Sequence, residues 1–214
     1  MTNAIRYPLV LTLVCAIAAT ALAVTYMVTK PSIEQKEELA LNAALEFVSP
    51  AGAKAFSKVV EERDGGPVYL VKSSEDSSGM TLGYAAVGQQ RGYSSQIKVM
   101  VGVYPDYRIA AIRVLSCQET PGLGQRVEEV ESTRTLWTLL FGPEDSQTEK
   151  AKAEPEPWFQ KQFRDKTTDQ LVVVTTARPD KVSSISGATI SSNATADAVK
   201  QAIAKIKDYC ETKE

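Results

Sequence analysis

Residues 7–29 carry no charged side chain, and within them the run 9–28 (Leu-Val-Leu-Thr-Leu-Val-Cys-Ala-Ile-Ala-Ala-Thr-Ala-Leu-Ala-Val-Thr-Tyr-Met-Val) is apolar almost throughout. A helix rising about 1.5 Å per residue needs about 20 such residues to cross a hydrocarbon core. The segment therefore reads as a membrane span or as a targeting signal. Ala21-Leu22-Ala23 fits a small-x-small cleavage site behind Arg6 and an apolar stretch, which is the signal-peptide reading. Against it, the apolar run continues beyond that point through Val24, Tyr26, Met27 and Val28, as suits a retained anchor. Arg6 stands before the span and Lys30 and Lys36 after it, so the basic flanks bias orientation only weakly. Long domains translocate largely regardless of such charges, and an exported C-terminal domain is compatible with this pattern. The expectation is an anchor over 1–30, stopped by Pro31, and one domain over 31–214, working beside the membrane with integral-membrane partners.

Composition then narrows the chemistry. The 214 residues include no histidine, so a Ser-His-Asp triad, a Cys-His pair and any His-ligated metal or haem site are excluded within this polypeptide. Cys15, Cys117 and Cys210 are too few and too scattered for a four-cysteine cluster. A Cys117–Cys210 disulfide is conceivable on an oxidising face. A net charge of −2 gives no reason to expect nucleic acid. Any redox chemistry must come with an imported group.

Behind the anchor, the apolar period changes in a readable order. Residues 33–48 read as an amphipathic helix with Leu39, Ala43, Ala44 and Phe47 on one face and Pro50 ending it. Short β-type runs follow at 68–71, 81–87, 97–103 and 108–115, each bounded by Gly, Ser, Asp or Pro. The last two form a hairpin across Tyr104-Pro105-Asp106-Tyr107. Residues 142–157, rich in proline and charge, read as an exposed loop, after which Trp158, Phe159 and Phe163 return to the core. Residues 171–175 are a candidate buried strand. Over 192–209 a helix is expected, with Ala194, Ala198, Ala202, Ile203 and Ile206 on its apolar face. Helix, meander, connector, strand and helix in that order predict an α+β domain with an antiparallel sheet and flanking helices.

Two short motifs carry chemical information. Ser186-Gly187-Ala188-Thr189-Ile190-Ser191-Ser192 is a small-residue turn rich in hydroxyls before the C-terminal helix, where unpaired N–H groups attract an anion. Taken alone, it is equally a plain helix cap. Glu119-Thr120-Pro121-Gly122-Leu123-Gly124 follows a strand; its proline fixes φ, and its glycines permit positive φ or close approach to a flat ligand. Taken alone, that is equally a structural turn. No Gly-x-Gly-x-x-Gly leading into a helix, of the kind that binds NAD, is present.

Together, and behind a single span, these motifs resemble the FMN-binding domain family, which includes the G subunit of the Rnf electron-transport complex and the C subunit of the sodium-translocating NADH:quinone oxidoreductase. Gly92-Tyr93 leading into 97–103 belongs to the same resemblance, and the chain length is closer to the Rnf subunit. The resemblance implies FMN held by a phosphoester to Thr189, with Ser186, Gly187, Ala188 and Ser191 around it. It further implies that Glu119, Thr120, Pro121, Gly122, Leu123 and Gly124 lie against the flavin. It implies an electron carrier without turnover of its own, inside a membrane-bound, ion-translocating oxidoreductase of the ferredoxin:NAD type. The implied partners are other integral-membrane subunits and a flavin transferase, and the implied location is the cell inner (plasma) membrane with the domain on the extracytoplasmic side. Two positions depart from the family pattern: Cys117 stands where a His is usual, and Ser183 where an Asp is usual, Asp180 being the nearest acid. An alternative of a different class is a membrane-anchored assembly or scaffold module in which Ser-Gly-Ala-Thr is only a helix cap.

Overall fold

A computed structural model describes residues 2–50, 52–53, 55–60, 67–73, 80–130, 156–176 and 178–211. The chain divides into two compact units, 1–43 and 44–214.

Most of the first unit is one helix, α1, which runs Thr2–Val48 and so extends into the second. Its N-terminal part is apolar all round, with Leu9, Leu11, Leu22, Met27 and Val28 exposed, and it is long and apolar enough to cross a membrane. Pro31 does not stop it: both Pro8 and Pro31 lie inside the continuous helix. A proline there removes one hydrogen bond, to the carbonyl four residues back, and the long helical segments on either side keep the rest of the ladder. The expected face over 33–48 is also corrected. Leu39 and Ala43 are exposed, Phe47 is half-buried, and the buried residues are Ala44, Leu45 and Val48.

The second unit is built on a five-stranded antiparallel meander in the order β1 (Ala55–Val60), β2 (Val68–Lys72), β3 (Thr81–Arg91), β4 (Gln96–Val103), β5 (Ile109–Ser116). The β4–β5 hairpin turns at residues 104–107 as expected. Tyr107 N–H donates to the Tyr104 carbonyl at 2.9 Å, and Tyr107 takes φ 62°. Strand alternation puts Ala86, Gly88, Val99, Val101, Ile112 and Val114 on one face, where the pairings Gly88↔Val99 and Val101↔Ile112 align them. This face receives the C-terminal helix α3 (Thr189–Glu211), through Ala194, Ala198, Ala202, Ile203 and Ile206, all buried. At Gly88 the approach is so close that a Cβ would run into the Ala198 carbonyl. Side chains fix the register of helix on strand: Gln89 N–H donates to Gln201 Oε1 at 2.8 Å, and Lys205 Nζ donates to the Val87 carbonyl at 2.7 Å. The opposite face is covered by the end of α1, where a Cβ on Gly102 would meet the Val48 carbonyl and the Arg113 guanidinium lies 5.0 Å over the Phe47 ring.

Between β5 and α3 lie a 3₁₀ turn (Gly124–Glu128), the short helix α2 (Trp158–Lys161) and a second 3₁₀ turn (Thr168–Gln170). Phe159 and Phe163 are fully buried and pack edge to face, with ring centroids 5.6 Å apart. The strand expected over 171–175 shrinks to β6 (Val173–Val174), which pairs in parallel with β7 (Val182–Ser183). Leu171 is buried, but Val172 and Thr175 are exposed. Of the expected exposed loop at 142–157, only Glu156 and Pro157 are among the described residues, and Pro157 is buried.

Candidate functional site

Both motifs fold into the same local device. In residues 120–123, Leu123 N–H donates to the Thr120 carbonyl at 3.1 Å, with proline second and Gly122 third at φ 75°. In 185–188, Ala188 N–H donates to the Ile185 carbonyl at 3.0 Å, with Gly187 third at φ 76°. These are the marks of type II turns, whose third position needs positive φ and hence glycine. The two turns meet: a Cβ on Gly187 would stand 3.1 Å from Leu123 Cδ2.

Helix α3 starts earlier than its hydroxyl-rich sequence implies. The helix start expected at Ser192 is corrected to Thr189: Ser192 lies inside the first turn, its hydroxyl donating back to the Ala188 carbonyl at 2.9 Å and accepting the Ile185 N–H at 3.0 Å. The first intrahelical bond runs from Ser192 N–H to the Ala188 carbonyl, so the N–H groups of Thr189, Ile190 and Ser191 precede any helical partner. Thr189 itself is exposed.

The turns and the helix start enclose a cleft of about 490 Å³ lined by Tyr93, Glu119, Thr120, Leu123, Gly124, Gly187, Ala188, Thr189, Ile190 and Ser191. Three residues singled out from the sequence, Ser186, Pro121 and Gly122, are exposed and stand outside this lining. Two lining residues are not among the sequence-derived site candidates. Tyr93 and Ile190, 70% and 55% exposed, supply apolar wall. Gly92-Tyr93 does stand out as a sequence feature, whereas Ile190 gives no signal beyond its place inside the hydroxyl run.

Glu119 is the electrostatic centre of the cleft wall. It is 6% exposed. Its Oε1 accepts from Ser94 N–H at 3.1 Å, Ser95 N–H at 3.0 Å and the Ser95 hydroxyl at 3.4 Å. Its Oε2 accepts from Tyr93 N–H at 3.2 Å and the Ser191 hydroxyl at 2.9 Å. Burial alone would raise this carboxyl. The donors, led by Ser95 N–H and the Ser191 hydroxyl, outweigh it and hold the group below the usual carboxylate value.

The matching family model is the FMN-binding domain, over residues 92–204, which takes in the cleft and both turns. The chain belongs to the FMN-binding domain family. A second match, to the RnfG N-terminal region, covers residues 1–48. Relatives match over nearly the whole length. The G subunit of the ion-translocating oxidoreductase complex of Methanosarcina acetivorans is 30% identical, over 94% of this chain and 91% of that protein. The same-named protein of Vibrio atlanticus is 32% identical, over 95% and 90%. The G subunit of the proton-translocating ferredoxin:NAD(+) oxidoreductase complex of Clostridium ljungdahlii is 28% identical, over 93% and 89%. Among solved structures, Shewanella oneidensis NqrC superposes with a TM-score of 0.43 at 19% identity, over 73% of this chain and 68% of that one.

The two departures from the FMN-binding family pattern have structural settings of their own. Cys117 is buried, its Sγ 3.9 Å from the Gly124 carbonyl. Burial, then the charge of Glu128, push its thiol up to about 11, so it stays protonated at neutral pH and packs as a small apolar group. Cys117 and Cys210 are both free thiols. Ser183 lies on β7, where its N–H donates to Gln162 Oε1 at 2.8 Å.

Proposed function

We propose that this chain is the G subunit of an Rnf-type, ion-translocating ferredoxin:NAD oxidoreductase, and that it relays electrons through FMN esterified to Thr189. One observation carries this reading: the fold brings an exposed Thr189, at the N–H groups of a helix start that precede any helical partner, into one cleft with residues of the 119–124 turn. The residues present fit such a group. The N–H groups of Thr189, Ile190 and Ser191 suit a phosphate ester. Tyr93, Leu123 and Ile190 offer apolar surface to a planar ring, and Gly187 leaves the cradle free of a Cβ.

When bound, flavin supplies the electron transfer that no side chain here can. The chain's own residues retain and orient it. Thr189 would contribute its hydroxyl oxygen to the new P–O ester bond and lose its proton, while a separate flavin transferase would supply the flavin phosphoryl group from a flavin dinucleotide, whose phosphoanhydride bond breaks and whose nucleoside monophosphate leaves. An ester through the tail leaves the ring electronics to the cleft walls. On a membrane face without free FMN, a covalent tether also prevents a loss that could not be made good. Residues 9–28 hold the domain at the cell inner membrane, against integral subunits of the same complex, with residues 31–214 on the extracytoplasmic side.

The test is in-gel flavin fluorescence of the denatured chain after co-expression with a flavin transferase. The wild type is expected to fluoresce and Thr189→Ala to be dark. A dark wild-type band overturns the covalent reading.

A further inference from the structure

Glu119 belongs to the motif expected to lie against the flavin, yet nearly all its bonding capacity is spent on protein. Its five donors come from turn 92–95 and from α3. The Ser95 hydroxyl has a fixed direction in this arrangement: it accepts Gln118 N–H at 3.0 Å and donates to the carboxylate. Ser191 is anchored in turn, its carbonyl accepting the Thr195 hydroxyl at 2.8 Å. A second, independent observation is the space kept around the carboxylate. A Cβ on Gly92 would stand 2.5 Å from Glu119 Oε1. A Cβ on Gly124 would stand 2.5 Å from Ser191 Oγ and 2.9 Å from Glu119 Oε2. The chain therefore omits a side chain on both sides of this one group.

We infer that Glu119 is a positioning residue, whose carboxylate ties turn 92–95 and loop 119–124 to the first turn of α3 through Ser191 and so presents the Thr189 hydroxyl to the cleft. This rests on the flavin reading of the same cleft and assigns Glu119 a different part in it. The carboxylate assembles the acceptor site; Thr189, the helix N–H groups and the apolar walls hold the cofactor. The bond that matters is Ser191 Oγ–H to Glu119 Oε2, because among the described residues it is the one bond of Glu119 that reaches the helix that carries Thr189.

The test uses the full-length chain in detergent, cofactor-free, with purified flavin transferase and its flavin nucleotide donor, and compares wild type, Glu119→Gln, Ser191→Ala and the double variant. The expected result is a maximal attachment rate about tenfold lower in each single variant, with KM for the chain little changed, as displacement of a reacting group predicts. The double variant is expected to be no slower than Glu119→Gln, because both changes break one tie. A merely destabilised chain would instead lose usable substrate and shift KM. Wild-type rates in both single variants, or losses that multiply in the double variant, overturn the inference. Ser191→Ala keeps every backbone donor to Glu119, so if Glu119→Gln fails to fold, the Ser191→Ala rate decides alone, and an unchanged rate overturns the inference. A wild-type chain that accepts no flavin sinks the covalent reading instead. The tie is then judged on thermal unfolding of the cofactor-free variants, where additive losses overturn it.

Discussion

At the scale of single residues, two glycines in one hexapeptide do different work, and substitution separates them. Gly122 has φ 75° with nothing within 4 Å of an added Cβ, so Gly122→Ala is expected to cost only the left-handed backbone penalty, about 1–2 kcal/mol. At Gly124 the penalty is steric. Its Cβ would press on Ser191 Oγ and Glu119, so Gly124→Ala is expected to cost about 1–3 kcal/mol and also to slow flavin attachment, which Gly122→Ala leaves near wild type. Urea unfolding and in-gel fluorescence check the pair. Glu119 also sets a pH dependence. Its folded pKa lies below the ordinary value of 4.5, so its contribution to stability is complete above that value and is lost as pH falls through the lowered one. Glu128 works in the opposite sense: burial raises it, so its protonation on acidification favours the fold. Comparing thermal unfolding of wild type with Glu119→Gln isolates the first group: the gap is expected to be widest near pH 7 and to close in acid. A gap that persists unchanged to pH 3 would show that the carboxylate's charge is immaterial. Sequence marks Glu119 as part of a motif. What it does not convey is the direction of the side chain, because the donors from 93–95 and 191 are distant in sequence.

At the scale of elements, legibility in the sequence follows the strength of the local signal. Four of the five meander strands stand out because alternation and turn residues agree. Strand β1 does not, since Ala55-Phe-Ser-Lys-Val-Val60 lacks a clean apolar/polar alternation and Phe56 is 39% exposed. The apolar face of α3 is plain in the sequence, but its start is displaced, because Ser191 and Ser192 look like caps and are in fact buried within the first turn. Pro31 has the look of a stop, and the helix passes through it. The contact between α3 and β3 is invisible in sequence, yet the placement of the site depends on it. Gly88 lets the helix backbone approach the sheet at Ala198, nine residues beyond Thr189. Gly88→Ala is therefore expected to push α3 outward and cost about 3 kcal/mol, since the obstructing atom is backbone and cannot rotate away. A shift in urea midpoint with flavin fluorescence reduced in parallel would show that the helix, and with it Thr189, had moved. An unchanged midpoint would mean that the sheet can bend away at little cost.

At the scale of the whole molecule, α1 runs from the apolar N-terminal segment into the second unit, and burial shows where it stops being dispensable. Residues 1–43 form a unit of their own, whereas Ala44, Leu45 and Val48 are 3%, 3% and 0% exposed within the second. The Val48 carbonyl fills the space above Gly102 on the sheet face opposite α3. Burying a Leu or Val side chain is worth about 1.5–3 kcal/mol, so losing Leu45 and Val48 together removes about 3–6 kcal/mol. That is a large share of the roughly 5–15 kcal/mol that holds a domain folded. A chain starting at residue 32 is therefore expected to be soluble without detergent, to unfold cooperatively and to accept flavin at Thr189 from a soluble transferase. A chain starting at residue 50 is expected to expose the sheet face around Met100, Gly102 and Ala111, and to aggregate or unfold at markedly lower urea. Size-exclusion chromatography and urea unfolding of the two truncations decide the matter. Equal behaviour would mean that the last turn of α1 is only a tether. The expected difference would instead make it part of the second unit's core, one layer of the fold against the sheet face opposite α3.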